Sequence, residues 1–335
     1  MNESLGSRVA SCHAPPMASS IPEDPGTAPE DRRRSRRRIL TLGLGGVAVV
    51  VVGGAAAVEL VDHGVLPGKL TLDQLDGACT VPAPTPTFSP LGPSMSGAFD
   101  SSARNRTVGY TIAYPPGHGP GAELPLIVML HGFGSDHTTA LTGMTPAQAV
   151  ALRVDGRPLA PMAIVTVDGG GGYWNAHPGD DPMAMVVDEL VPMCQRLGLG
   201  SGPHRIGAMG ISMGGYGALR LVELYPDRFA AAAAISPAVW TTYDQAEGAN
   251  PGAFASRAAF RANDVILQAA HLGAMPVRIA SGVDDPFHPG VEALIRAVPS
   301  SATVVVSAGC HTSSFFASQE PPSLEFLSRH LAPAG

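Results

Sequence analysis

The chain has 335 residues, 45% hydrophobic and 15% charged, enough apolar content to close one large core or two small ones and too much for a disordered protein. Its 40 Gly and 32 Pro follow no Gly-X-Y period, which excludes a collagen-like fibre and favours a loop-rich globular domain. A net charge of -7 argues against a nucleic-acid partner, because nucleic acids attract basic surfaces.

In chain order, residues 1–31 are polar and carry no apolar periodicity, and Arg32-Arg33-Arg34-Ser35-Arg36-Arg37-Arg38-Ile39-Leu40 follows. Residues 39–58 then run without a charge, a length sufficient to cross a bilayer as a helix. Basic, then apolar, then small is the order of an export signal. Ser35-Arg36-Arg37-Arg38-Ile39-Leu40 resembles a twin-arginine signal, which implies the twin-arginine export machinery as a partner and export across a bacterial cytoplasmic membrane. Ala55-Ala56-Ala57 offers a cleavage site leading to a secreted protein, and residues 39–58 are also long enough to stay as a membrane anchor in the cell envelope. The expected organisation is a signal or anchor at 1–61, a Pro-rich linker at 62–98 and a catalytic domain at 99–335.

Cys12 lies in the leader, which leaves Cys79, Cys194 and Cys310, an odd number. A bridge between Cys79 and Cys194 is one option and unpaired thiols are the other. No CxxC or Cys/His ligand spacing occurs, and no metal or cofactor is expected. Nothing in the sequence bears on oligomeric state.

From residue 99 on, short apolar runs alternate with helical patterns. Residues 106–114 alternate as a strand does, and 124–130 (LPLIVML) is a continuous apolar run suited to a buried parallel strand. Strands are also expected at 163–167, 205–209, 229–235, 277–280 and 303–306. Helices are expected at 145–152, 183–197, 214–224, 291–297 and 323–331. Such alternation predicts an α/β fold with a mostly parallel sheet covered on both faces, and function collected at the carboxyl ends of the strands.

After the strand at 205–209 comes Gly210-Ile211-Ser212-Met213-Gly214-Gly215, then a helix. G-x-S-x-G is a weak signal by itself in a chain with 40 Gly, but a strand before and a helix after make it a nucleophile elbow, whose strained turn needs neighbours without bulk. A serine hydroxyl needs a base, and the base needs an orienting carboxylate, in the chain order Ser, Asp or Glu, His. Of the histidines after Ser212, His330 and His271 fall in helical stretches and His288 reads as wall. His311 follows a strand end in a loop able to bring its imidazole over the serine. The carboxylate is Asp285 or its neighbour Asp284, with Gly-x-x-Asp and the following Pro favouring Asp285.

Charge developing on the substrate carbonyl calls for an oxyanion hole, each N–H donor being worth ~3 kcal/mol. The N–H of Met213, just after the nucleophile, and that of Phe133, in His131-Gly132-Phe133-Gly134, are the candidates. Gly132 lets the backbone approach substrate, and the His131 side chain reads as a local hydrogen-bonder. Tyr173 and Trp174, after the glycine run 169–172, and Trp240, in the insertion 237–275, are candidates for the substrate wall, against an ordinary packing role.

On LPLIVMLHGFG, GISMGGYGALRL, GVDDPF and GCHTSSFF the chain resembles the α/β-hydrolase superfamily, and within it the esterase D, feruloyl-esterase-like and antigen 85 group. The resemblance runs from about residue 100 to 331. It implies cleavage of small-molecule or lipid esters through an acyl-serine intermediate, by a Ser212-His311-Asp285 triad. Mycolyltransferases of the same group pass the acyl group to an alcohol, so an acyltransferase acting on cell-envelope lipid or sugar is the alternative. Their elbow has Ala where this chain has Gly214. A non-catalytic hydrolase-fold binding module is the third reading.

Overall fold

The computed structural model describes residues 79–332 except 83–84, 203–204 and 274. The twin-arginine motif, the apolar run 39–58 and the linker up to residue 78 lie outside the described residues. Among the described residues no helix is long and apolar enough to cross a membrane.

The main sheet is built from β2 (Ser94–Ser101), β3 (Arg106–Ala113), β4 (Leu126–Leu130), β7 (Ala163–Val167), β8 (Ile206–Ile211), β9 (Ala231–Ile235), β10 (Val277–Gly282) and β11 (Thr303–Ser307). A small separate sheet takes β1 (Thr87–Phe88), β5 (Leu152–Val154) and β6 (Arg157–Pro158). The main sheet runs β11-β10-β9-β8-β4-β7-β3-β2, parallel from β11 to β7 and antiparallel at β3 and β2. This is the expected α/β-hydrolase architecture.

The central strands β4, β7, β8 and β9 are buried at every residue, as continuous apolar runs covered on both faces must be. Successive side chains go to opposite faces. Val128 and Leu130 join the core under helix Met213–Leu224, while Ile127 and Met129 join the core that includes Leu324, Leu327 and Leu331 of helix Ser313–Leu331. Every strand expected from the sequence is present. Three segments differ from expectation. The span read as linker to residue 98 already contains β1, paired with Leu152 and Arg153, and the start of the edge strand β2. Edge strands need only one apolar face, so SMSGAFDS gave little periodic signal.

The last helix begins at Ser313, ten residues ahead of its expected start at 323, and passes through Pro321 and Pro322. Proline costs a helix a hydrogen bond locally. Here burial of Phe315, Leu324, Leu327 and Leu331 against the sheet outweighs that cost. In the expected helix 183–197, Met185–Leu190 widens to a π-turn, and Val191 N–H reaches back to Val186 O just before Pro192, which has no N–H to give.

The Cys79–Cys194 pairing does not form. Cys79 is bonded to Cys310, across 231 residues of sequence, and Cys194 is a free thiol buried where helix Val191–Arg196 faces the core. Burial pushes the Cys194 thiol up to about 12, so it is chemically quiet.

Glu320 is wholly buried in the last helix, where its carboxylate accepts the N–H groups of Thr142 and Gly143. Burial pushes its pKa up to about 7 against the pull of those two bonds. A carboxyl with a raised folded pKa stabilises the fold fully below its unfolded value of 4.5 and loses that contribution as pH rises through about 7. Because burial lowers the His131 imidazole and so makes its contribution to stability change with pH in the opposite sense, the clean readout is a difference. The Tm of the wild type minus that of Glu320→Gln is expected to fall by about 3–6 °C from about pH 5.5 to about pH 8. A difference that stays constant in calorimetry would contradict this.

Candidate active site

Ser212 sits between β8 and helix Met213–Leu224 at φ 57° and ψ −118°, a conformation that side-chain-bearing residues rarely adopt and that here lifts the hydroxyl above the sheet. The turn closes only because its neighbours lack side chains. A Cβ on Gly210 would lie 2.1 Å from the Gly214 backbone, and one on Gly214 would lie 2.0 Å from Leu130 O. Ser212 N–H donates to Ile235 O at 2.9 Å and Ser212 O accepts from Ala238 N–H at 3.0 Å, so the end of β9 and the residues just after it brace the elbow.

The loops after β10 and β11 complete the constellation. His311 Nε2 is 2.9 Å from Ser212 Oγ, and His311 Nδ1 is 2.9 Å from Asp285 Oδ2. The second Asp285 oxygen accepts Phe287 N–H at 2.8 Å, so the carboxylate is buried with both oxygens engaged. Of the two acids, Asp285 is the one whose carboxylate is in hydrogen-bond contact with His311. The Asp284 backbone N–H instead holds Gly309 O at 3.0 Å, pinning the loop that carries His311. The rings of Phe287 and Phe316 flank the imidazole at 4.9 Å each, which limits its rotation and shields the relay from water.

The loop after β4 passes beside Ser212. A Cβ on Gly132 would stand 3.8 Å from Ser212 Cβ, and Phe133, next in the chain, lays its exposed ring beside Gly171. This loop is anchored by His131, which donates from Nδ1 to Gly132 O at 2.7 Å and accepts Gly169 N–H on Nε2 at 2.8 Å. Both ring nitrogens are spent, which gives His131 the local bonding role read from its sequence. Met213 follows Ser212 at the first turn of its helix, where N–H groups have no partner within the helix.

Trp174 is not part of a substrate wall. It is wholly buried, donates Nε1–H to His131 O at 3.3 Å and presses its ring against Gly169 and Gly217. Two consecutive left-handed residues, Tyr173 and Trp174 at φ 54° and 55°, turn this side chain down into the core. Tyr173 is nearly buried and packs on Trp240 with ring centroids 5.0 Å apart. Trp240 reaches the site through Phe287, 5.3 Å away, whose ring touches His311. Trp240 is thus one ring removed from the imidazole, and Tyr173 two. Phe254 and Phe260 of the insertion pack behind them as ordinary core.

Sequence reasoning missed the polar frame of the glycine-rich loop. Asp168, at the end of β7, accepts the N–H of Gly109 and both N–H and Nδ1–H of His137. Burial pushes the Asp168 carboxyl up, but the bonds donated by His137 outweigh it and hold its pKa below the ordinary value. Buried Arg104 grips Asp180 at 2.6 and 3.0 Å while also donating to Asp168 O. The one available signal was an acid at the carboxyl end of a predicted strand.

The family model described as "Putative esterase" matches residues 101–315. Among solved structures the chain is similar to a ferulic acid esterase (19% identity, TM-score 0.57, 72% of this chain and 98% of that one). It is also similar to an S-formylglutathione hydrolase from Agrobacterium tumefaciens (20% identity, TM-score 0.57, 74% and 98%). A third is MPT51 (FbpC1) of Mycobacterium tuberculosis (17% identity, TM-score 0.55, 72% and 100%). At these identities the likeness speaks for the fold. No curated protein matches the sequence. With the family's span running from the end of β2 past the loop of His311, the chain belongs to the esterase family of α/β-hydrolases, enzymes that act on ester bonds.

Proposed function

We propose that the protein is an exported serine carboxylesterase that hydrolyses small acyl esters through an acyl-serine intermediate. The observation that carries this reading is the relay from Ser212 through His311 to Asp285, closed by two 2.9 Å contacts at a strained elbow. His311 takes the Ser212 proton on Nε2 as Oγ attacks the ester carbonyl. Asp285 keeps the Nδ1 proton in place and offsets the positive charge on the imidazole. The N–H groups of Met213 and Phe133 receive the oxyanion, the alcohol leaves with the proton from His311, and water repeats the sequence to release the acid. The Arg-rich leader followed by residues 39–58 supports export, with the mature chain in the envelope or outside the cell.

A small acyl group is favoured by the wall of aromatic rings behind the relay, with Phe287 and Phe316 on the imidazole and Trp240 against Phe287. On a series of p-nitrophenyl esters, kcat/KM is expected to peak between acetate and butyrate. Trp240→Leu is expected to move the peak at least about two carbons longer by removing part of that wall. A wild-type optimum at long chains would remove the small-acyl assignment. Product analysis with an added alcohol or sugar separates hydrolysis from transfer: the free acid should dominate, and an acylated acceptor as main product would favour the transferase reading.

A further inference from the structure

The catalytic histidine hangs from the weakest part of the sheet. β11 is an edge strand whose Val304 and Val306 are exposed, and the loop beyond it carries His311. The backbone bonds tying this loop to the body, Val283 N–H to Ser307 O and Asp284 N–H to Gly309 O, both fall ahead of Cys310. Past His311, helix Ser313–Leu331 starts at Thr312 without a side-chain cap. The tie at the histidine itself is covalent: Cys310, its immediate neighbour, is bonded to Cys79. Around that bond residues 79–81 seat on the loop, with Ser314 Oγ–H reaching Cys79 O at 3.4 Å and Val81 facing Gly309, which has φ 141°.

We infer that the Cys79–Cys310 bridge is a positioning element for His311, so that the site reaches full activity only where thiols are oxidised. The inference rests on the serine-esterase reading and deepens it. Residues 79–81 fall within the span 62–98 expected as linker, so a segment outside the hydrolase sheet becomes part of the catalytic apparatus. Closure is a thiol–disulfide exchange: two cysteine thiols and one external disulfide give the bridge and two external thiols. Opening by a dithiol reductant is the reverse, the dithiol leaving as its cyclic disulfide. Exported proteins meet such oxidants, and cytoplasmic ones meet reductants. Before export the relay would be loose, and after export it would be set. Buried Cys194 takes no part.

The test uses the full chain, purified oxidised in mild detergent and assayed on p-nitrophenyl acetate before and after excess dithiothreitol. Cys79→Ser, Cys310→Ser and Cys194→Ala are run beside it. Reduction is expected to lower kcat about tenfold or more, the scale of a small misplacement of a catalytic group, while KM stays within about twofold. Fluorophosphonate labelling of Ser212 should slow by the same factor. Hydrogen exchange should rise in the peptide over residues 308–314 with circular dichroism unchanged. Both serine variants should match reduced wild type and ignore the reductant, Cys194→Ala should behave as wild type, and glutathione disulfide should restore only the reduced wild type and Cys194→Ala. Should the serine variants fail to fold, reduction of the folded wild type still gives the answer. Reduced protein that keeps kcat within about twofold overturns the inference, as does a loss of kcat that only tracks loss of circular dichroism. Oxidised wild type that neither turns over nor labels overturns the esterase reading, and this inference with it.

Discussion

Ser212→Ala is expected to abolish fluorophosphonate labelling and to reduce kcat on p-nitrophenyl acetate by about five orders of magnitude, leaving only the rate that oxyanion donors and substrate binding sustain without a nucleophile. The fold should survive. The substitution removes one hydroxyl whose single side-chain partner is His311 and keeps the Cβ that the elbow already accommodates. The strained backbone at φ 57° is held by Ile235 O, Ala238 N–H and the surrounding glycines, none of which the side chain supplies. Melting temperature should therefore stay within about 3 °C of wild type. Labelling that persists in the mutant would place the reactive hydroxyl elsewhere. A folded wild type that does not label would bring the binding-module reading forward.

The second large effect separates two adjacent acids. Asp285→Asn should lower kcat by about three to four orders of magnitude with KM little changed, because an amide in place of the carboxylate presents an N–H to Nδ1 and favours the wrong imidazole tautomer. It also withdraws the charge that offsets the imidazolium formed in the transition state. Asp284→Asn should stay within about threefold of wild type, since the Asp284 contact that braces the histidine loop is made by its backbone N–H, which the substitution retains. Steady-state kinetics on both variants decides the matter, and equal losses would mean that the acid assignment is wrong.

The candidate triad was legible because each member stands at the end of a strand that announces itself. The runs before Ser212, Asp285 and His311 are apolar enough to be found by composition, and the parallel fold sends their carboxyl ends to one edge. The polar frame of Arg104, His137, Asp168 and Asp180 was not legible, since its members come from four separate segments and none carries a motif. Trp174 was misread for a related reason. An aromatic residue after a run of glycines looks like a wall, and only its left-handed backbone turns it inward.

By itself the sequence determined the alternation of strands and helices, the candidate nucleophile, its candidate base and the Arg-rich leader, all of which depend on local patterns of apolar residues, glycines and charge. The tertiary structure alone brought Asp285 to His311, joined Cys79 to Cys310 and left Cys194 alone, and moved Trp174 from the wall into the core. Each of these is a choice between near-equivalent residues. It is made by which side chain the packed strands bring within bonding distance, and sequence separation carries no trace of that distance: His311 and Asp285 are 26 residues apart, Cys79 and Cys310 are 231.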